Sequence, residues 1–207
     1  MTRQLQIPDI IVSRLPVYLR ALQHMQGQGQ ETTSSQQLGE WLGISAAQIR
    51  KDLSQFGEFG KQGTGYNIQF LLARLREILN ITGVWDLAIV GMGDMGHALA
   101  RYSGFKDRGF RVRMVFDNDP VKIGQKAGEF TILNTAEMVD LLRKEGIRIA
   151  MLCVPASAAQ GVANELVKAG GTAILNYAPI NLTLPPNVRL QYIDPAVGLQ
   201  RMAYYLK

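Results

Sequence analysis

Hydrophobic residues in the first 80 positions recur at three- and four-residue spacing, which predicts a helical domain. Two such stripes predict amphipathic helices that open and close it (Ile11, Leu15, Leu19 and Leu22; Leu71, Leu72, Leu75, Ile78 and Leu79). Glycines at 27 and 29 end the opening helix. The segment 80–83 follows the closing helix and is the expected linker to the rest of the chain.

Two short helices are predicted between these stripes, each announced by a capping box. Ser34 is followed three residues later by Gln37, and Ser45 is followed by Gln48 in the same way. In a capping box, the side chains of the first and fourth residues satisfy each other's free backbone N–H groups. Gly43 ends the first helix, so the tight turn between the two predicts a helix-turn-helix.

The second of these helices and the glycine-rich stretch after it are predicted to bind DNA. Ile49, Leu53 and Phe56 form the inward stripe, which leaves polar side chains facing outward. Residues 57–66 contain too many glycines for a helix and predict a hairpin or wing whose backbone can approach a groove closely. Alternatives are a plain connecting hairpin and a protein-binding surface. The expected DNA contacts are Ser45, Gln48, Arg50, Lys51, Ser54, Lys61, Gln62, Gly63 and Tyr66.

From residue 84 onward the pattern changes to apolar runs alternating with helical segments, which predicts a parallel sheet. The run Asp86–Val90 is followed directly by a G-x-G-x-x-G sequence and then by a helix. Within that sequence Gly91 permits a tight turn, Gly93 lets backbone approach a pyrophosphate, and Gly96 lets helix and strand pack closely. We therefore expect the loop Gly91, Met92, Gly93, Asp94, Met95 and Gly96 to bind a dinucleotide.

An acidic residue and two apolar loops complete the predicted cofactor site. Asp117 ends the second predicted strand, where a carboxylate accepts both ribose hydroxyls and disfavours a phosphorylated ribose. NADH is thus favoured over NADPH or coenzyme A, although Asp117 also suits a cap for the turn after it. The loops at two further strand ends suit a neutral reduced nicotinamide better than cationic NAD⁺. Their residues are Val154, Pro155 and Ala156, and Asn176, Tyr177, Ala178 and Pro179.

The predicted fold class is α/β: an N-terminal winged helix-turn-helix domain over residues 1–80, then a Rossmann-like doubly wound parallel sheet domain over 84–194. Residues 195–207 form a C-terminal helix with no strand to return to, so it covers its own domain or a partner subunit. An enzyme is the chief alternative, a small dehydrogenase, but His24 and His97 are poorly placed for proton transfer at the nicotinamide and Tyr102 or Tyr177 lacks a lysine partner.

Composition adds little to this picture. A net charge of +5 is compatible with a polyanionic partner, but the basic residues are not concentrated in the first domain. The single cysteine, Cys153, lies in an apolar run, and no signal peptide or membrane-spanning run is present, so a cytoplasmic protein is expected. No metal site and no membrane association are expected.

The chain resembles the Rex family of redox-sensing transcriptional repressors over nearly its whole length. The resemblance rests on motifs from both predicted domains (residues 7–8, 14–20, 34–35, 49–54, 56–57 and 63–66; residues 91–93, 116–117, 154–155 and 176–179). Gln62 departs from the family, which usually has Arg or Lys in the wing, and the neighbouring Lys61 offers a substitute cation.

The resemblance implies a homodimer that binds a palindromic operator and leaves it when NADH binds, with NAD⁺ as a competing ligand that does not release it. It also implies that the C-terminal helix swaps into the partner subunit. By position, Arg20, Tyr102 and Asp194 resemble the residues that couple the DNA domain, the cofactor site and the swapped helix.

Overall fold

The computed structural model describes residues 7–60 and 65–206, and the chain divides into two compact units, 1–83 and 84–207. In the first unit the helices are α1 (Asp9–Val12), α2 (Leu15–Gly27), α3 (Ser35–Leu42), α4 (Ala46–Ser54) and α5 (Ile68–Ile78). The two-residue strands β1 (Thr32–Thr33) and β2 (Tyr66–Asn67) pair antiparallel. The opening helix predicted as continuous is interrupted between α1 and α2, where the Ser13 hydroxyl donates to the Ile10 carbonyl.

Capping explains where the central helices begin. Ser34 and Gln37 form the complete predicted capping box of α3, and Gly43 ends that helix in the left-handed conformation at φ +67°. At α4 only half of the second box forms: the Ser45 hydroxyl accepts from the Gln48 N–H, but the Gln48 side chain does not return. The prediction of a second complete capping box was therefore wrong.

The core of the first unit is an apolar cluster from α2, α3, α4 and α5, with Leu15, Tyr18, Leu22, Leu38, Ile49 and Leu75 among its fully enclosed members. One face of α4 packs against the three other helices of this core, and the other face of α4 points to solvent. The predicted wing residues 61–64, which include Lys61, Gln62 and Gly63, lie outside the described residues.

The second unit is a Rossmann-type sheet flanked by helices. Its strands are β3 (Trp85–Val90), β4 (Phe110–Asp117), β5 (Lys126–Ala127), β6 (Phe130–Asn134), β7 (Ile149–Leu152), β8 (Ala173–Asn176) and β9 (Arg189–Tyr192). Its helices are α6 (Asp94–Ala100), α7 (Met138–Glu145), α8 (Ala156–Lys168) and α9 (Pro195–Ala203). The strand order is β5-β6-β4-β3-β7-β8-β9. All neighbours pair parallel except β5, an antiparallel edge strand that the sequence did not predict.

This strand order reverses direction between β3 and β7, which is the switch point at which open α/β sheets bind ligands. Two apolar clusters cover the sheet, one containing Phe116, Leu152 and Leu166 and the other containing Leu87, Ile89 and Met151. Because both faces are covered, the central strands β3, β7 and β8 are almost continuously apolar in sequence. The carboxyl ends of β3, β4, β7 and β8 are left to carry the site.

The last helix is unlike the others in burying no residue. Val197, Leu199, Met202, Tyr205 and Leu206, in and just after α9, are all more than 60% exposed. None of the described helices has the length and apolarity that crossing a membrane requires.

Candidate functional site

The glycine loop after β3 has three different reasons for its three glycines. Gly91 adopts φ +96°, and a Cβ there would overlap the Cys153 carbonyl at the end of β7. A Cβ on Gly96 would overlap the carbonyl oxygen of Gly91, so α6 packs directly on the turn. Gly93 has open space around its Cβ position. The loop is thus held tightly by its first and third glycines, and its exposed middle leaves room for a ligand's phosphates to approach backbone N–H groups.

Asp117 lies at the end of β4 beside this loop and is only 6% exposed. One of its oxygens accepts from the Met92 N–H at 2.7 Å and from the Lys122 amine at 3.2 Å, and the other accepts from the Asp119 N–H at 2.8 Å. Burial by itself raises the pKa of this carboxyl, but these hydrogen bonds outweigh burial and lower it. Asp117 therefore caps the turn that follows β4, which is the alternative role predicted for it from the sequence. Through its hydrogen bond with Met92, it also links β4 to the glycine loop.

The ends of β7 and β8 supply the apolar side of the crevice. Val154 and Ala156 are half-buried and Pro155 is exposed at the start of α8. Burial raises the pKa of the neighbouring Cys153 thiol to about 12, so this cysteine is neutral and inert at physiological pH. This side of the site therefore carries no charge of its own.

Asn176 organises the second loop. Its side-chain oxygen accepts from the Ala178 N–H, and its amide donates to the carbonyls of Ala178 and Ile180. Because Asn176 is 1% exposed and fully used within the loop, it positions Tyr177 and Pro179. A cavity of about 380 Å³ lies beyond this loop and also borders Tyr192, Asp194 and Val197.

In the first unit, α4 presents an exposed polar face. Arg50, Lys51 and Ser54 are exposed, together with the N-cap Ser45. The Arg50 guanidinium donates to the Ser35 hydroxyl at the start of α3, and the Ser54 hydroxyl donates to the Lys51 carbonyl. These contacts keep two cations and two hydroxyls on the side of α4 that faces away from the core.

Gln48 is a correction to the predicted outward face. Its amide donates to Asp52 at 2.6 Å, and its side chain is half-buried. Asp52 is completely buried and also accepts from the Arg14 guanidinium at 2.5 and 2.7 Å and from the Tyr18 hydroxyl at 2.6 Å. Burial raises the pKa of Asp52, yet the hydrogen bonds from Arg14, Tyr18 and Gln48 lower it below its ordinary value. This network, which the sequence did not predict, clamps α4 to α2.

Tyr66 was predicted to contact DNA but is half-buried and packs against the apolar core. Burial raises the pKa of its hydroxyl, and the nearby Arg50 lowers it. The Tyr66 ring therefore has a structural role in the core of the first unit. A contact between Tyr66 and DNA stays a prediction.

The three predicted coupling residues are not brought together within either unit. Arg20 is exposed on α2 of the first unit. Tyr102 is 49% exposed just after α6 and accepts a hydrogen bond from Arg108, whereas Asp194 caps the start of α9. Tyr102 borders a cavity with Phe110 and Val112 at the amino end of β4, whereas Asp194 follows the carboxyl end of β9, so the two residues lie at opposite ends of the strands.

A helix-turn-helix unit joined to a Rossmann-type unit with an intact glycine loop defines a ligand-responsive transcriptional regulator. No group of three or more His, Cys, Asp or Glu among residues 7–60 and 65–206 is arranged to hold a metal ion. A family profile described as "Putative DNA-binding protein N-terminus" matches residues 6–54, and one described as "CoA binding domain" matches residues 82–180.

Full-length relatives specify the family. The chain is 47% identical to a redox-sensing transcriptional repressor Rex from Roseiflexus sp. (strain RS-1), over 100% of this chain and 94% of the relative. It is 41% identical to the Rex repressor of Brevibacillus brevis over 100% of both chains. The chain belongs to the Rex family of redox-sensing transcriptional repressors.

Two solved structures are similar to 97% of this chain. The crystal structure of RSP in complex with β-NAD⁺ and operator DNA superposes with a TM-score of 0.92, at 35% identity over 97% of this chain and 92% of that one. RSP in complex with β-NADH gives a TM-score of 0.89, at 33% identity over 97% and 94%. The family is one of transcriptional repressors, so the dehydrogenase alternative is set aside.

Proposed function

We propose that this chain binds operator DNA as a homodimer through α4, and that NADH bound in the second unit releases it. The observation that carries the proposal is the pairing of an exposed cationic helix with a complete glycine loop and ribose-site carboxylate in one chain. The relative RSP, described in complex with operator DNA and β-NAD⁺ and also with β-NADH, supports both ligands.

For the dinucleotide, the loop from Gly91 to Gly96 would hold the pyrophosphate and Asp117 the adenosine ribose. The nicotinamide would lie against Val154, Pro155, Ala156, Tyr177, Ala178 and Pro179. The side chains of these two loops are uncharged, so a cationic ring loses hydration against them at a cost that the neutral reduced nicotinamide avoids. The site thereby favours NADH, which is what a sensor of the NADH/NAD⁺ ratio requires.

For DNA, Arg50 and Lys51 supply the cations of α4, and Ser45 and Ser54 supply hydroxyls. Arginine and lysine neutralise phosphates or donate to guanine edges, and hydroxyls bind phosphates or either base edge. The Asp52 network holds this helix at a fixed orientation on the core. We propose that Gln48 contributes to DNA binding through that network first and through direct contact second.

The homodimer is supported by apolar surface that a single chain leaves exposed. Exposed apolar side chains follow one another along α9, and no described residue of their own unit covers them. Tyr102 lies near the amino end of β4 and Asp194 follows the carboxyl end of β9, and four strand spacings, about 19 Å, separate these two strands. If these two residues take part in one switch, Asp194 must come from a second subunit. We therefore propose that α9 docks on the partner, as the family resemblance implies.

The switch follows from linkage between two binding equilibria. Two recognition helices must lie about one DNA turn apart to enter successive major grooves. A ligand that binds better to a dimer with another spacing weakens DNA binding by its difference in affinity for the two states. We propose that Arg20, Tyr102 and Asp194 make contacts that differ between the dimer with one helix spacing and the dimer with the other.

The test is fluorescence anisotropy of a labelled duplex carrying a Rex-family operator, at fixed salt because salt controls DNA affinity. We expect tight binding without ligand and with NAD⁺, and release on addition of NADH. DNA binding that is unchanged at saturating NADH would contradict the proposal. A scrambled duplex of the same length and composition is the control for non-specific binding.

Coenzyme A is a second candidate ligand because residues 82–180 match a family described as a CoA binding domain. The ribose of coenzyme A carries a 3′-phosphate, which the Asp117 carboxylate would repel. We expect coenzyme A to leave both NADH affinity and DNA affinity unchanged in the same assay. Displacement of NADH by coenzyme A at comparable concentration would assign the site to the wider class of adenine nucleotides.

A further inference from the structure

A lysine is built into the ribose end of the proposed dinucleotide site. Lys122 Nζ lies 3.2 Å from Asp117 Oδ2 and 4.0 Å from Asp119 Oδ2. It is about one-third exposed, so it faces both the carboxylate and the solvent from which a ligand enters. The G-x-G-x-x-G pattern and its acidic residue do not account for this cation.

Backbone hydrogen bonds fix where Lys122 sits. The Asp119 N–H donates to Asp117, the Val121 N–H donates to the Asp119 side chain at 2.9 Å, and the Lys122 N–H donates to the Asp119 carbonyl at 3.0 Å. Two consecutive turns of this kind, each closed by an aspartate on an N–H two residues ahead, constrain a short segment tightly. The fold therefore fixes the backbone position of Lys122 next to Asp117, and the lysine side chain reaches the carboxylate from there.

The charges of this segment have a consequence for ligand choice. Asp117, Asp119 and Lys122 together carry a net charge of −1, with both carboxylates within 4.0 Å of the Lys122 amine. A free ribose diol is neutral and donates to carboxylates, whereas a 2′-phosphate brings further negative charge and no donors. The one cation in the segment already faces Asp117, so it is not available to a phosphate.

We infer that Lys122 is a second specificity-determining residue at the adenosine ribose and acts through its ion pair with Asp117. With Asp117 present, Lys122 is held by that carboxylate and does not serve a 2′-phosphate. With Asp117 removed, Lys122 becomes the anchor for a 2′-phosphate. The inference rests on the proposed dinucleotide function of this unit and adds to it a second residue that sets the preference between the two reduced cofactors.

The test is a double-variant cycle on the full chain, with NADH and NADPH binding followed by the fluorescence of the reduced nicotinamide. The four proteins are the unsubstituted chain, Asp117→Ser, Lys122→Met and the double variant. One charge-assisted hydrogen bond strengthens binding roughly 10- to 100-fold. In the Asp117→Ser background, we expect Lys122→Met to lower the ratio of NADPH affinity to NADH affinity by that factor.

The outcomes separate the inference from the function on which it rests. If Lys122→Met affects NADH and NADPH equally in the Asp117→Ser background, the specificity role of Lys122 is overturned. If the unsubstituted chain binds NADH no better than it binds adenosine, the proposed function itself fails and the inference falls with it. The gain in NADPH affinity must also weaken as salt is raised, because it depends on a partly exposed charge.

Asp119→Asn provides the second route in case Asp117→Ser does not fold, since Asp117 is buried and Asp119 is 40% exposed. An asparagine retains the oxygen that accepts from Val121 N–H but removes one negative charge near Lys122. We expect the ratio of NADPH affinity to NADH affinity to rise roughly two- to five-fold. An unaltered ratio of the two affinities, or a gain that persists with Lys122→Met, would overturn the inference.

Discussion

The proposed recognition helix α4 and the last helix α9 are each nine residues long and amphipathic, yet their surroundings are opposite. α4 buries Ile49, Asp52 and Leu53 and leaves its cations outside. α9 buries nothing, and its apolar residues remain in solvent. One helix is complete within its own unit, and the other is not.

The difference shows where each helix finds its partner. The inner face of α4 packs within its own unit, and the buried Asp52 carboxylate on that face accepts four hydrogen bonds. The outer face of α4 can therefore bind a ligand. An exposed apolar stripe such as that of α9 is unfavourable in water and marks a protein interface. The contrast thus supports the two proposed roles, DNA binding for α4 and docking on a second copy of the chain for α9.

The largest expected effect comes from α9. Leu199 and Met202 lie three residues apart on one side of the helix, and both are more than 60% exposed. A fully buried side chain of this size contributes about 1.5–3 kcal/mol, and a symmetric dimer buries each twice. Replacing both by Asp should therefore convert the dimer to monomer, with a loss of about 6 kcal/mol or more, measured by sedimentation equilibrium.

Val121→Asp is the matched control for this prediction, because Val121 is 73% exposed in the same unit but lies outside α9. The control should remain dimeric. Equal dissociation of the two proteins, or a monomeric unsubstituted chain, would show that α9 does not form the interface and would remove the contrast with α4.

The second prediction breaks the inner face of α4. Arg14→Ala leaves the Asp52 carboxylate buried without its cation, which typically costs about 3–5 kcal/mol. Hydrogen exchange in peptides covering α2 and α4 should accelerate strongly, while exchange in the second unit stays unchanged. Arg74→Ala, which removes an exposed ion pair with Glu77, should leave exchange in α4 unaltered.

The third prediction concerns the outer face of α4. Replacing Arg50 and Lys51 together by Ala should weaken operator binding by about 1–3 kcal/mol for each base edge that these side chains bind, or reduce the salt slope by about 1 for each phosphate that they neutralise. Arg74→Ala with Arg76→Ala removes the same charge from α5 of the same unit. A similar fall in operator affinity in that control would mean that net charge, and not α4, carries the binding.

Much of this molecule could be predicted because its signals are local. The capping box of α3 joins residues three apart, and the glycine loop depends on positions within six residues of one another. The Rossmann strand order follows from alternating strands and helices, since crossovers of one hand leave few topologies. The identity of the candidate sites therefore came from short stretches of sequence.

Asp52 was missed because its partners lie far away in the chain. Arg14 and Tyr18 precede it by 38 and 34 residues, and only the packed fold brings them to one carboxylate. A signal was available: Asp52 falls between Ile49 and Leu53 on the apolar face, where a lone charge is too costly without a partner. The strand β5 was missed for another reason, since two residues are too short for a periodic pattern.

The smallest expected effect is a loss of stability in the first unit in acid, which depends on Asp52. The pKa of Asp52 is lower in the folded protein than its ordinary value of 3.8, so the unfolded chain takes up this proton at a higher pH than the native one. Its stabilising contribution is complete above the unfolded pKa and is lost as pH falls through the folded pKa. After correction for intrinsic exchange rates, hydrogen exchange in α2 and α4 should therefore not change with pH near neutrality. It should accelerate only below about pH 4, where the loss of the Asp52 charge destabilises these helices.

Two variants sharpen this pH prediction by separating the charge of Asp52 from the packing around it. Asp52→Asn should begin less stable and lose less stability over the acid window, because it has no carboxylate to protonate there. Glu40→Gln, at an exposed carboxylate of α3, should follow the unsubstituted chain. An Asp52→Asn protein with the full acid sensitivity of the original would show that the carboxylate does not hold α4 through its charge, and the helix would then owe its position to apolar packing alone.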